Sequence, residues 1–269
     1  MSEIITSASN PRVRRLAELQ KKARRRRETG LFVIEGARLC ADTPDRYIEE
    51  AYATRKWLAA ASRQERDRLS GLSLTLVSEE VMEKVSDTAT PQGILCVARM
   101  PVWRREDLLG GKNPLLLLLE DLRDPGNLGT IFRTAEAAGA TGIVMNRGTA
   151  DLFHPKVVRA TMSAIFRLPF LISDDLCAEA AYLREGGVRI YAAHLGGRRA
   201  YDSLPLSEGC AFLIGNEANG LSEEAARAAD EKVVIPMAGG AESLNAAMAA
   251  GILLFEAARQ RRSSRRSAP

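Results

Sequence analysis

The chain has 269 residues, enough for one large or two modest domains, and 46% of them are hydrophobic, so a buried core can form. A formal net charge of +4 suits a nucleic-acid partner without requiring one. Four scattered cysteines (Cys40, Cys96, Cys177 and Cys210) and only two histidines (His154 and His194) argue against a dedicated metal centre and for free thiols in a reducing cytoplasm. The opening Met-Ser-Glu-Ile-Ile-Thr lacks the layout of a secretion signal, and the leucine run 115–119 is too short to cross a bilayer, so a cytoplasmic location and no membrane partner are expected.

In chain order, residues 9–30 predict a helix. Asn10-Pro11 is its start signal, and Val13, Leu16, Ala17, Leu19 and Ala23 form one apolar face. Lys21 to Arg27 carries a dense cation run, which is either a solvated face or a phosphate-binding one. Leu31-Phe-Val-Ile-Glu-Gly36 reads as a strand, a helix follows from Ala37, and residues 92–99 close a small α/β unit. Residues 100–112, with Pro, charge and paired Gly, read as a linker. The expected domains are therefore 1–99, 113–262 and a basic disordered tail, 263–269.

Beyond the linker, strands are expected at 115–120, 142–145, 167–172, 189–193, 210–214 and 233–235. Helices are expected at 131–138, 156–166, 176–185, 222–229 and 244–261. Apolar strands alternating with helices predict a mostly parallel sheet covered on both faces. Neither the Gly-x-Gly-x-x-Gly spacing nor the P-loop spacing is present.

Three polar, Gly- or Asn-bearing loops each follow a strand, where open α/β sheets bind ligands. In the first, Asp124-Pro-Gly is a turn and Asn127 can cap the next helix, which carries Arg133 two turns in. The second contains Gly215, whose missing side chain would let a flat ligand approach the backbone, and the carboxylate Glu217. The third runs Ile235-Pro-Met-Ala-Gly-Gly-Ala-Glu-Ser-Leu-Asn245, with Ser243 as N-cap of a helix from Leu244. Taken one at a time, each also reads as ordinary structure: a surface arginine, a decorated turn, a capped helix.

In order, Asn-x-Gly-x-x-x-Arg (127–133), Ile-Gly-Asn-Glu-x-x-Gly-Leu (214–221) and Ile-Pro-Met-x-Gly-x-x-x-Ser-Leu-Asn (235–245) resemble the three motifs of the SpoU (TrmH-like) RNA methyltransferases of the SPOUT superfamily. The resemblance covers about residues 113–261. More loosely, residues 5–98 look like the N-terminal, L30e-like RNA-binding domain of many members. The resemblance implies a deep trefoil knot, an exception to the rule that chains do not thread themselves. It also implies a homodimer, S-adenosylmethionine as cofactor and no metal.

By motif, Gly215, Ile235 and Leu244 would hold the cofactor through backbone atoms, and Leu195 and Met237 would line its pocket. Arg133 would be the catalytic arginine, with Asn127, Glu217, Ser243 and Asn245 completing the active site. A guanidinium is a poor base because it stays protonated, so orienting a phosphate and stabilising oxyanion charge suits Arg133 better. RNA contacts are expected from Arg12, Arg14, Lys21, Lys22, Arg24 and Arg25. Arg159 and Arg167 are either RNA contacts or intrachain ion pairs. Residues 159–169 depart from the family pattern at Thr161 (for Ser) and Ser163 (for Gly), changes expected to leave the fold alone. The implied reaction is transfer of a methyl group to a ribose 2′-hydroxyl, with ribosomal RNA favoured over transfer RNA as substrate. A non-catalytic RNA-binding protein and a base methyltransferase are the competing readings.

Overall fold

The computed structural model describes residues 4–266 and divides into two compact units. One joins residues up to Val102 with Asp151–Phe166; the other joins Trp103–Ala150 with the chain from Arg167 onward.

The first unit begins with α1 (Pro11–Lys21), whose N-cap Asn10 accepts a hydrogen bond from the Arg12 N–H. The single helix expected over 9–30 is in fact two, because Lys22 is extended and α2 (Ala23–Thr29) starts afresh. The break turns Arg26 inward, where it is 2% exposed. Its guanidinium donates to the Leu19 and Gln20 carbonyls at 2.6 and 3.0 Å, satisfying the end of α1, and pairs with Asp151.

Strand β1 (Leu31–Glu35), helix α3 (Ala37–Asp42), strand β2 (Ile48–Thr54), helices α4 (Arg55–Ala60) and α5 (Arg63–Ser70), strand β3 (Leu74–Val77), helix α6 (Glu79–Val85) and strand β4 (Ile94–Arg99) follow. The sheet runs β1-β4-β2-β3, with only β2 and β3 parallel. Val13, Leu16 and Leu19 of α1 pack over Leu31, Val33, Leu95 and Val97.

The second unit holds β5 (Leu115–Leu119), α7 (Pro125–Ala138) and β6 (Gly142–Asn146). The chain then contributes α8 (Pro155–Thr161) to the first unit. It returns with β7 (Phe170–Ser173), α9 (Leu176–Glu185), β8 (Arg189–Ala193), β9 (Arg199–Ala200), β10 (Cys210–Ile214), α10 (Glu223–Ala228), β11 (Glu231–Val234) and α11 (Ala246–Arg266). The sheet order is β7-β6-β5-β10-β8-β11-β9, and every adjacent pair is parallel. All five residues of β5 and of β10 are buried, as a sheet covered on both faces requires. Strand β10 enters between β5 and β8, so the loops after β5, β8, β10 and β11 share the carboxyl edge of the sheet.

Four expectations need correction. Residues 151–166 belong to the first unit because Phe153 and Phe166 pack their rings on Phe32, with centroids 5.0 and 5.9 Å away. The helix expected over 156–166 stops at Thr161, because Met162 and Ser163 take left-handed φ values of 48° and 67°. Glycine is the unstrained residue there, so the Ser163 departure carries backbone strain. Residues from Trp103 onward are not a free linker: Leu108 is fully buried in the second core, and Arg105 donates to Glu179 at 2.8 Å while lying over Tyr182. The basic tail is helical as far as Arg266, and its remainder lies outside the described residues.

Because Arg26 is buried and bonded to three acceptors, Arg26→Ala is expected to cost roughly 3 kcal/mol by stranding two carbonyls and a carboxylate. Urea unfolding measures this, and an unchanged midpoint would refute it.

Candidate active site

The loop after β10 is built by its own backbone. Asn216 and Gly220 exchange N–H···O bonds at 3.0 and 2.9 Å, and the Asn216 side-chain oxygen accepts the N–H groups of Ala218 and Asn219. A Cβ on Gly215 would lie 2.2 Å from the Gly220 carbonyl carbon. Gly215 is therefore required by the turn folded against it, not by a ligand approaching its Cα as the sequence suggested. It still lines the cavity described below.

This turn presents Glu217. Its carboxylate accepts the backbone N–H groups of Arg123 and Asp124, both at 3.1 Å, and the Asn127 Nδ2 at 3.0 Å. Partial burial works against its charge. The Asn127 amide and the backbone N–H donors outweigh that and hold the carboxyl below the usual range.

Asn127 does not cap α7. Asp124 does, accepting the Asn127 N–H at 2.8 Å, and the helix starts at Pro125 rather than Ile131. The Asn127 side chain is thereby released to bridge. Its Nδ2 donates to Glu217 and its Oδ1 accepts from the Asn245 Nδ2 at 2.9 Å. Asn245, not Ser243, caps α11: its Oδ1 accepts the N–H groups of Ala247 and Met248, and the helix begins at Ala246 rather than Leu244. One hydrogen-bonded chain, Glu217–Asn127–Asn245, thus ties together the loops after β10, β5 and β11. Arg133 is exposed on α7, and its guanidinium bonds to nothing among the described residues.

Beside this chain lies a cavity of about 310 Å³, of a size that takes a nucleoside-like ligand. Leu195, Gly215, Ile235, Met237 and Leu244 all line it, as do Ser243 and Glu217. Leu195 and Leu244 are 68% and 37% exposed, apolar surface with no protein cover and suited to a flat ring. Among the described residues, Glu217 is the one carboxylate in the wall and no Lys or Arg joins it. The wall therefore carries no Lys or Arg charge that would repel a cationic ligand.

In the first unit, the expected RNA contacts divide. Lys22 pairs with Glu18, Arg24 with Glu28, and Arg25 with both. Arg12 donates to Thr75. Arg14 and Lys21 are exposed, and their side chains make no hydrogen bond or ion pair among the described residues. Arg159 is paired with Asp87 at 2.8 Å and, in the second unit, Arg167 with Glu136, partly exposed ion pairs of the kind one of the two readings expected. Three polar residues of the second unit have no role in the sequence reading: Asp121 and Asn216 on loops, and Asn146 at the end of β6. Only Asn216 carried a signal, as the unassigned asparagine of the second motif.

Residues 114–255 match the SpoU rRNA Methylase family, and residues 10–96 the MRM3-like substrate binding domain. The Bacillus subtilis 23S rRNA (guanosine(2553)-2′-O)-methyltransferase RlmP is 33% identical over 256 residues, covering 93% of this chain and 97% of that protein. The AdoMet-bound rRNA methyltransferase from Sinorhizobium meliloti superposes with a TM-score of 0.82 at 34% identity, over 96% of this chain and 98% of that one. The SpoU methyltransferase AviRb from Streptomyces viridochromogenes, in complex with AdoMet, superposes at 0.83 with 27% identity, over 94% and 99%.

Two outcomes are expected. Gly215→Ala forces a methyl group into backbone and should cost roughly 3 kcal/mol in urea unfolding; wild-type stability would show that the turn yields. Because the folded pKa of Glu217 is depressed, its contribution to stability is complete above the unfolded value of about 4.3 and is lost as pH falls through the folded one. Glu217→Gln should therefore flatten the acid limb of the Tm–pH curve, and an identical limb in both proteins would contradict this.

Proposed function

The chain belongs to the SpoU rRNA Methylase family, and from that footing we propose that it transfers the methyl group of S-adenosylmethionine to a ribose 2′-hydroxyl of ribosomal RNA. The observation that carries this reading is the Glu217–Asn127–Asn245 chain beside the cavity, with Arg133 left unpaired. Those side chains are bonded to one another across three loops, an arrangement that a protein which merely binds RNA has no need to keep. The names of relatives such as RlmP favour ribosomal over transfer RNA.

Leu195, Ile235, Met237 and Leu244 would hold the cofactor's apolar face, and Gly215 would meet it through backbone atoms. When bound, S-adenosylmethionine supplies an electrophilic methyl group. The protein must then align the ribose oxygen, which is where much of the rate enhancement arises. Ser243 lines the cavity with a hydroxyl that has no partner among the described residues, so it is free to meet the ribose. Asn127 and Asn245 have each committed the oxygen and one N–H of their amides, which leaves one donor apiece for the substrate.

Glu217 is a weak base, with both oxygens engaged and its carboxyl held acidic. With both Glu217 oxygens occupied, the 2′-hydroxyl proton would be released to solvent water as the oxygen takes the methyl group. Arg133, with no internal carboxylate to satisfy, would grip a neighbouring RNA phosphate bidentately and stabilise the developing oxyanion.

The same reading extends to architecture. Strand β10 slots between two strands laid down earlier, and the segment after β11 returns to Asn127, a path that supports the trefoil knot. Met248 and Phe255, 59% and 45% exposed and seven residues apart on α11, offer an apolar stripe for a second copy of the chain. The first unit, with Arg14 and Lys21 exposed, would receive the RNA, and the buried thiols of Cys40, Cys96 and Cys210 suit the reducing cytoplasm. Among the described residues, no helix is long and apolar enough to cross a membrane.

Arg133→Ala is expected to abolish methyl transfer while calorimetric affinity for S-adenosylmethionine stays within a few-fold. Full activity would overturn the role of Arg133, and absence of cofactor binding at millimolar ligand would overturn the reaction. Mapping 2′-O-methylation across ribosomal and transfer RNA, in cells with and without the protein, names the nucleotide.

A further inference from the structure

The loop between β5 and α7 turns on one residue, Asp121, which sits at φ 52° and so needs outside support for a backbone conformation that side-chain-bearing residues seldom adopt. That support comes from the end of the neighbouring strand. Asn146, the last residue of β6, accepts the Asp121 N–H on its Oδ1 at 2.9 Å and donates its Nδ2 to the Asp121 carboxylate at 2.8 Å. The Thr149 hydroxyl donates to the same Asn146 oxygen at 3.0 Å, which fixes the orientation of the amide. The Asp121 carbonyl is also held, accepting the Asn216 Nδ2 at 2.7 Å. The fit is tight as well: a Cβ on Gly148 would lie 1.9 Å from an Asp121 carboxylate oxygen.

What this clamp controls lies two and three residues on. The N–H groups of Arg123 and Asp124 point at the Glu217 carboxylate, which in turn orients Asn127. Asp124 also caps α7, the helix that carries Arg133. Neither Asp121 nor Asn146 lines the cavity. We infer that Asp121 and Asn146 form a positioning pair that sets the loop carrying Glu217's backbone donors, and through it the alignment of the methyl acceptor, without contributing to cofactor affinity. The inference rests on the methyltransferase reading for its kinetic consequence and on geometry alone for its structural one.

The test is an exchange of the two side chains. Asn146→Asp sets two carboxylates face to face. It should lower kcat about tenfold, the scale expected when reacting groups are misplaced by less than an ångström, with the S-adenosylmethionine Kd within twofold. The double variant Asp121→Asn with Asn146→Asp restores one amide facing one carboxylate, and it should bring kcat back to within about twofold of the parent. Asn146→Ala, should the acidic variant fold poorly, is expected to show the same split between kcat and Kd, with no recovery on adding Asp121→Asn.

Hydrogen exchange at the Arg123 and Asp124 amides provides a readout that needs no activity. It should accelerate in Asn146→Asp and slow again in the exchanged pair. Unchanged kcat and unchanged exchange in both Asn146 variants, or a double variant no better than Asn146→Asp, would overturn the inference. A parent protein that transfers no methyl group would overturn the methyltransferase reading instead and leave the exchange measurement to decide the pairing.

Discussion

A single amide, that of Asn127, joins the second unit's functional loops. It can do so only because Asp124 takes over the capping of α7, leaving the asparagine side chain in the first turn with nothing local to satisfy. One end then faces a carboxylate and the other faces a second amide that is itself fixed by capping α11. Both ends of Asn127 are therefore specified chemically: a flipped amide would set its oxygen against the Glu217 carboxylate and its N–H group against the Asn245 donor. Helix starts and site geometry are thus one problem with one solution, and the burial behind it, from five-residue apolar strands such as β5 and β10, serves to hold the helix ends still.

The strands and helices with unbroken apolar logic were legible in the sequence: β8, β10 and α9 occupy the expected residues because a run such as Cys210–Ile214 has no other way to be buried. Helix starts were less legible. In Asp124-Pro-Gly-Asn127 and in Ser243-Leu-Asn245 two side chains compete to cap, and the winner depends on what the loser can reach in space. The pairing of Asp121 with Asn146 spans 25 positions of sequence and has no periodic trace. Likewise Phe153 and Phe166 look like core residues of the catalytic part until Phe32, more than a hundred positions earlier, proves to be their partner.

The cation run of α1 and α2 shows a different limit. Density of charge suggested a phosphate-binding face, yet Glu18 and Glu28 neutralise part of it, and Arg26 has left the surface altogether to close the end of α1. Exposed ion pairs of this kind are weak and exchangeable. A polyanion can compete for Lys22, Arg24 and Arg25, whereas Arg26 is committed. The helix break at Lys22 thereby separates structural charge from charge available for association.

The order of strands in the larger sheet bears on how the protein comes into being. The cavity wall is assembled from residues 193–195, 214–221 and 233–235, from Met237, and from Ser243, Leu244, Ala246 and Ala249, and the amide that links the loops comes from position 127. Strand β10 has to find its place between two neighbours synthesised before it, and the final helix has to arrive before Asn245 exists as a cap. Non-local pairing of this kind closes long loops late and folds slowly. A chain that stops short of β11 lacks part of the cavity wall and so has no complete cofactor site. Competence has to wait until Asn245 and the helix it caps are in place.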